Sequence, residues 1–374
     1  MNKKSSTEAC QVSEDRQKNE FQRRKTRQIA VGDVLIGGGA PVVVQSMTKT
    51  DTQDVEGTVA EIRRLEDVGC EIVRCAVPDG EAAAALKGIK ENISIPLIAD
   101  IHFDHRLALV SIEQGVDGLR INPGNIGSKK KVRDVVTAAK ERAVPIRIGV
   151  NAGSLEKDLL HKYGGEVSAE AMVESAMRHV LILEEQNFDL IKIALKASDV
   201  GRTLEAYRLM AEKVDYPFHA GITEAGTIIS GTVKSSVGMA LLLREGLVDT
   251  LRVSLTAPPE EEVRIAYLIL SSLGLRFRGL NFVSCPICGR CEVDLMPIAS
   301  EIERGLMHLK KNITVAVMGC MVNGPGEAKE ADIGLACGKG VGVVFKKGKL
   351  HRRLKEEEIV SEFIAEVLSL HEEI

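Results

Sequence analysis

Cys285, Cys288 and Cys291 share one loop, Ser284-Cys-Pro-Ile-Cys-Gly-Arg-Cys291, and Cys320 follows in Met318-Gly-Cys-Met-Val-Asn-Gly-Pro-Gly-Glu327. Clustered thiols of this kind, in a chain expected to stay in a reducing compartment, read as metal ligands rather than disulfides. Four thiolates suit either a structural zinc ion or a [4Fe–4S] cluster. A zinc ribbon prefers two C-x2-C pairs on separate knuckles, whereas C-x2-C-x2-C in one loop is shared with bacterial ferredoxins. The cluster is therefore favoured and zinc stays open. Cys70 and Cys75 flank and occupy an expected strand and read as small core hydrophobes. Cys337 lies in a glycine-rich stretch near the cluster loop.

A second set of residues could bind an anion. Arg74, Arg120, Arg147 and Lys196 recur at the ends of short β-branched runs, and the planar fork of Arg matches phosphate oxygens. Arg120-Ile-Asn-Pro-Gly-Asn-Ile-Gly127 and Asn151-Ala-Gly-Ser154 add tight turns of the sort that let a backbone approach a phosphate. Glu224, in Thr223-Glu-Ala-Gly226, is either a counter-ion or a general acid/base. Asp100 and His102 alternate onto one face in Ala99-Asp-Ile-His-Phe103, as pocket residues or as a satisfied pair.

The elements that would position these groups repeat. From residue 41 onward, β-branched runs at 41–45, 71–77, 96–100, 118–122, 145–150, 189–195, 217–223 and 249–255 alternate with segments of helical apolar spacing. In the first of those segments Ile62, Leu65 and Val68 share a face; others cover 130–142, 169–185, 232–245 and 259–273. Eight βα units predict a closed (β/α)8 barrel of the TIM type over 27–275. Its strand ends carry, in order, Gln45, Arg74, Asp100 with His102, Arg120 with Asn122, Arg147 with Asn151, Lys192 with Lys196, His219 with Glu224, and Arg252. Barrel active sites form at that face, so one shared pocket is expected. After a link bracketed by Gly274 and Gly279, residues 281–374 read as a smaller α+β domain: helix 296–310, strand 313–318, a loop, strand 340–345, a turn, and helix 355–368.

Composition narrows the function classes. The net charge of −4 leaves no global basic field for nucleic acid or anionic membrane, and 3% aromatic residues with no Trp supply no base-stacking platform. No run approaches the ~18 apolar residues of a membrane span. Residues 1–26 are polar with interspersed acids, unlike a signal or transit peptide, and are expected to be a loosely attached extension of a cytoplasmic protein.

The residues also resemble a known family, the 4-hydroxy-3-methylbut-2-enyl diphosphate synthases of the methylerythritol phosphate route. The resemblance runs from about Arg27 to the end. It rests on Val44-Gln-Ser-Met-Thr48, Val73-Arg-Cys-Ala-Val-Pro78, Ala99-Asp-Ile-His-Phe-Asp104 and Arg120-Ile-Asn-Pro-Gly-Asn-Ile-Gly127. It continues through Arg147-Ile-Gly-Val-Asn-Ala-Gly-Ser-Leu155, Lys196-Ala-Ser198, His219-Ala-Gly-Ile-Thr-Glu-Ala-Gly226, Asp249-Thr-Leu-Arg-Val-Ser-Leu-Thr256, Cys285-Pro-Ile-Cys-Gly-Arg290 and Gly319-Cys-Met-Val-Asn-Gly-Pro-Gly-Glu327. With no extra domain between barrel and cluster module, the chain is similar to the two-domain bacterial form.

The resemblance implies reductive ring opening of 2-C-methyl-D-erythritol 2,4-cyclodiphosphate, with electrons from flavodoxin or ferredoxin entering through a [4Fe–4S] cluster. It implies Cys285, Cys288, Cys320 and Glu327 as cluster ligands, the carboxylate being the displaceable one. It further implies a diphosphate clamp of Arg74, Arg120, Arg147 and Lys196 with Asn122, Asn151 and Arg252 nearby, Glu224 as proton donor, and a homodimer. One departure stands out: Cys291 occupies a position where the family usually has Thr, which leaves an all-cysteine set as the alternative. The competing classes are a redox-inert barrel enzyme with structural zinc and a non-catalytic cluster carrier.

Overall fold

The computed structural model describes residues 22–320 and 324–373. Residues 1–21 of the expected extension and Met321, Val322 and Asn323 of the glycine-rich loop lie outside them. The chain divides into two compact units, one ending at Ile269 and the other beginning at Leu270.

In the first unit, two short antiparallel strands, β1 (Ile29–Val31) and β2 (Val34–Ile36), precede eight parallel ones. These are β3 (Val43–Met47), β4 (Ile72–Ala76), β5 (Leu97–Asp100), β6 (Gly118–Arg120), β7 (Ile146–Asn151), β8 (Ile191–Lys196), β9 (His219–Ala220) and β10 (Thr250–Leu251). Strands β3 to β8 pair in chain order, β10 pairs with both β3 and β9, and a parallel bridge from Ile193 to Phe218 closes the ring. The expected barrel is present, with shorter strands than the runs suggested.

Local chemistry sets the helix starts. Asp54, Asp79, Asp104, Ser168 and Asp199 each accept a backbone N–H from the first turn of the helix that follows. The capped helices are α1 (Val55–Asp67), α2 (Gly80–Lys90), α3 (His105–Glu113), α6 (Ala169–Glu184) and α7 (Val200–Ala211); α4 (Lys129–Glu141), α5 (Lys157–Lys162), α8 (Ile228–Arg244) and α9 (Pro259–Ser272) complete the series. Among the described residues, no helix is long and apolar enough to cross a membrane.

The β1–β2 hairpin has no counterpart in the sequence expectations. Its Ile29, Val31 and Ile36 cluster with Val43, Ile72 and Ile98 and so seal the N-terminal end of the barrel. Just before it, Arg23 pairs with Asp249 at 2.7 Å and Arg24 stacks 3.9 Å over the ring of Phe218. The last residues of the expected extension are thus pinned to the barrel.

The second unit holds one sheet of five strands, β11 (Leu280–Ser284), β12 (Ile313–Met318), β13 (Ile333–Gly338), β14 (Val341–Lys346) and β15 (Lys349–Lys355). They lie in chain order, the first three parallel and the rest antiparallel. Helices α10 (Leu295–Leu306) and α12 (Ile359–Glu373) cover one face through Ile302, Leu306, Ile359, Phe363 and Val367. Ala328 of α11 (Gly324–Glu330) packs with Ala336, Val343 and Phe345.

Three of these strands correct the sequence expectation of two. Ile333-Gly-Leu-Ala-Cys-Gly338 is buried along its whole length, so it shows no polar alternation and its glycines mimic a loop. Strand β11 lies at one edge of the sheet and is largely open to solvent, and β15 lies at the other with four cationic residues. Neither carries the apolar periodicity of a half-buried strand.

Candidate functional site

Parallel pairing places charged residues side by side around the barrel interior. In register, Asp100 faces Arg120, Arg120 faces Arg147, Arg147 faces Lys192, and Asn151 faces Lys196. Arg74, Asp100, Arg120, Arg147, Lys192 and Lys196 are each less than a tenth exposed. Barrel cores are ordinarily filled by branched apolar layers, and here charge takes their place.

Asp100 is the shared counter-ion. Its carboxylate lies 3.4 Å from Arg74 Nε and 3.4 Å from Arg120 Nη1. Burial works to raise its pKa, but Arg74, Arg120 and Arg147 outweigh that and hold it below the ordinary carboxylate value. Arg120 also meets His102 Nδ1 at 3.0 Å and donates to the Gly149 carbonyl at 3.0 Å. Burial first, then the nearby arginines, lower the His102 pKa against the pull of Asp100, so the ring stays neutral and accepts from Arg120. Asn122 is clamped at both ends of its amide, donating to the Gly149 carbonyl and accepting from the Gly149 N–H.

Gly149 is required by this crossing. A Cβ there would stand 2.9 Å from Arg120 Nε. A glycine inside a strand signals such an approach, and Gly149 was legible in that sense. Gly221 makes room for the Arg252 carbonyl, which would lie 2.8 Å from a Cβ, and for Lys196 Nζ at 3.2 Å.

Arg252 is held by Glu262 of α9, with Nε and Nη2 at 3.3 and 3.2 Å from the same carboxylate oxygen. Glu262 is 2% exposed and also accepts from the Leu255 N–H and pairs with Lys49. Met47 Sδ sits 3.0 Å from Arg74 Nη2. Neither Glu262 nor Met47 was anticipated. Glu262 is third in an acidic run at the start of a helix and reads as one of its solvated first-turn acids.

The mouth therefore gathers five cations, Arg74, Arg120, Arg147, Lys196 and Arg252, with Lys192 at its floor, against the two carboxylates Asp100 and Glu262. Nε and Nη1 of Arg147 have no hydrogen-bond partner. Burial and repulsion from Arg74 and Arg120 push Arg147 well below the ordinary arginine value, and Lys196 falls for similar reasons. Such a surplus is relieved by a multiply charged anion. Glu224 lies on the loop after β9, exposed, in a left-handed conformation at φ 51°. That backbone strain marks the loop as one shaped for something other than stability.

In the second unit, Cys285 and Cys320 emerge beyond the ends of the adjacent parallel strands β11 and β12. The Gly319 N–H points at Cys285 Sγ from 3.3 Å, and a Cβ on Gly319 would lie 2.5 Å from Cys291 Sγ. Cys291 Sγ meets the Val293 carbonyl at 3.2 Å. Cys288 is exposed, one residue after Ile287, whose φ of 60° is unusual for a β-branched residue. Glu327 is exposed in the first turn of α11. Among the described residues, no three Cys, His, Asp or Glu side chains converge closely enough to hold a metal ion. The donor chemistry nonetheless fits an iron–sulfur group: a glycine cradle and thiols at neighbouring strand ends, with a carboxylate on the next helix. Burial pushes the Cys70, Cys75 and Cys337 thiols up to about 12, which leaves them inert.

Fold and site together define a barrel enzyme for a polyanionic small molecule, carrying an appended thiol-bearing module. Residues 26–267 match the GcpE TIM-barrel domain and residues 281–369 match the GcpE protein C-terminal domain. The chain belongs to this family. A relative from Geobacter sulfurreducens, named 4-hydroxy-3-methylbut-2-en-1-yl diphosphate synthase (flavodoxin), is 59% identical over 92% of this chain and 98% of its own. The protein of that name from Thermodesulfovibrio yellowstonii is 60% identical over 93% of this chain and 99% of its own. Among solved structures, dihydropteroate synthase of Burkholderia cenocepacia aligns at TM-score 0.47 and 13% identity, over 67% of this chain and 99% of that one, too loosely to bear on the site.

Proposed function

We propose that this chain catalyses the reductive ring opening and dehydration of 2-C-methyl-D-erythritol 2,4-cyclodiphosphate to (E)-4-hydroxy-3-methylbut-2-enyl diphosphate. Two electrons and two protons enter and one water leaves. The observation that carries this reading is the cation surplus at the barrel mouth, in a chain whose relatives are named for making that diphosphate.

Arg74, Arg120, Arg147 and Lys196 hold the diphosphate oxygens, and Asn122 and Asn151 fix the orientation of the ring. Arg252, steered by Glu262, completes the cradle. These donors are locked before substrate arrives, so they stabilise charge on the departing phosphate oxygen with little reorganisation. Glu224 delivers a proton from its carboxyl to the leaving hydroxyl. A [4Fe–4S] cluster held by Cys285, Cys288, Cys320 and Glu327 would supply the electrons one at a time, from flavodoxin. A carboxylate binds a soft cluster less firmly than thiolate does, so Glu327 would be the most weakly held of the four ligands.

The working form is a cytoplasmic homodimer. Ile229, Val233, Val237 and Leu241 recur every fourth residue on α8, and they are 81%, 62%, 50% and 41% exposed. That apolar stripe suits a second copy of the chain.

Anaerobic turnover of the cyclodiphosphate with a chemical reductant tests the reading. Brown, EPR-active protein should form the linear diphosphate, and Arg120→Ala should lower kcat/KM by about 100-fold or more. Colourless zinc protein, or full activity in Arg120→Ala, would refute it.

A further inference from the structure

One buried cation of the barrel has no hydrogen-bond partner for its single side-chain nitrogen. It is Lys192 on β8, 2% exposed. Lys192 is in register with Arg147 of β7 and four strand residues, about 13 Å, before Lys196, so it lies at the floor of the cradle rather than at its rim.

The groups around it are nearly all cationic or neutral. Arg147 is its register partner on β7, and the charge of Arg74 on β4 reaches it as well. His219, on β9, is fully buried; its Nδ1 meets Thr250 Oγ1 at 2.8 Å and its Nε2 has no partner. The Tyr207 hydroxyl is committed to the His219 carbonyl and the Leu195 N–H. Asp249, the acid whose field reaches Lys192, already accepts from Arg23 and from the Phe218 N–H.

Resting on the diphosphate reading of the mouth, we propose that Lys192 takes up a proton as a diphosphate anion seats above it. With the cradle open, burial, followed by repulsion from Arg147 and Arg74, pushes Lys192 down to about 7. An anion clamped by Arg147 and Lys196 cancels that repulsion and favours the ammonium form. Lys192 touches no substrate atom; it is a positioning residue that acts through the field beside Arg147. The sign follows from linkage. Well below pH 7 the amine is already charged and no proton enters. Above that pH, up to the higher value in the complex, binding draws in as much as one proton per chain and the affinity falls as pH rises.

Calorimetric titration of the full-length protein with inorganic diphosphate, in buffers of different ionisation heat, counts the protons. A unit or two above pH 7, wild-type protein should absorb up to about one proton more than Lys192→Met or Lys192→Arg. Its affinity should fall with pH by up to about tenfold per unit more steeply than theirs. The diphosphate's own protonation is common to all three and cancels. Equal proton counts and equal pH slopes would overturn the proposal. Arg147→Ala separates the two readings. If it leaves diphosphate binding intact, the cradle reading fails and Lys192 with it; if binding collapses while the proton counts stay equal, only the Lys192 proposal fails.

Discussion

The barrel mouth and the cysteine end of the second unit differ in how much of each is built by the chain alone. At the mouth, β-register sets Asp100, Arg120, Arg147 and Lys192 in one row, and the Gly149 backbone locks both Arg120 and Asn122. The cysteine end has Cys285 and Cys320 at fixed strand ends, but Cys288 and Glu327 are exposed on a loop and a short helix. A site made by sheet register is rigid before any ligand binds. One whose donors come from a loop and a seven-residue helix draws its final geometry from the group it holds, so binding and local ordering are one event.

Removing a donor at the cysteine end should therefore be all-or-none. Cys320→Ser deletes a thiolate from a fixed strand end, and the protein should purify without iron or sulfide and without turnover. Iron and sulfide analysis beside the EPR signal reads this out. A variant that kept a full cluster would show that Cys320 is no ligand.

At the mouth, the largest effect of a single change should fall on stability. Asp100→Asn leaves Arg74 and Arg120 buried without their shared carboxylate, which costs about 3–5 kcal/mol. Because the folded-state pKa of Asp100 lies below its unfolded value, its contribution is present above about pH 4 and drains away as pH falls below that. Denaturant melts should thus show a weaker loss of stability on acidification in the variant than in wild type. An Asn variant as stable as wild type at neutral pH would mean that Asp100 does not balance the arginines.

The same contrast explains what the sequence made legible. Buried parallel strands announce themselves as β-branched runs, and the runs that carried Arg74, Arg120, Arg147 and Lys196 bring these cations together inside the barrel. Register was not legible, so the isolation of Lys192 and the partnership of Arg252 with Glu262 emerged only from the folded chain. Strand β13 has the sequence look of a loop because Gly334 is where Ala328 of α11 packs, leaving a Cβ only 2.5 Å of room. The β1–β2 hairpin is two three-residue strands around Gly32, too short for any period to show.

Cys291 is where the two kinds of site can be told apart most finely, and the smallest effect is expected there. Its Sγ meets the Val293 carbonyl and presses on Gly319, and its ring of neighbours belongs to the packed core of the second unit. A side chain held that way behaves like the fixed residues of the mouth rather than like an exposed donor such as Cys288. Thr offers a hydroxyl for the same carbonyl and a similar volume, so Cys291→Thr should change stability by less than about 1 kcal/mol. Cluster content and turnover should match wild type. Were Cys291 the fourth ligand in place of Glu327, the Thr variant would lose iron and its EPR signal, while Glu327→Gln would keep both. Measuring the two variants side by side therefore decides whether the displaceable position belongs to the carboxylate or is closed by a fourth thiol.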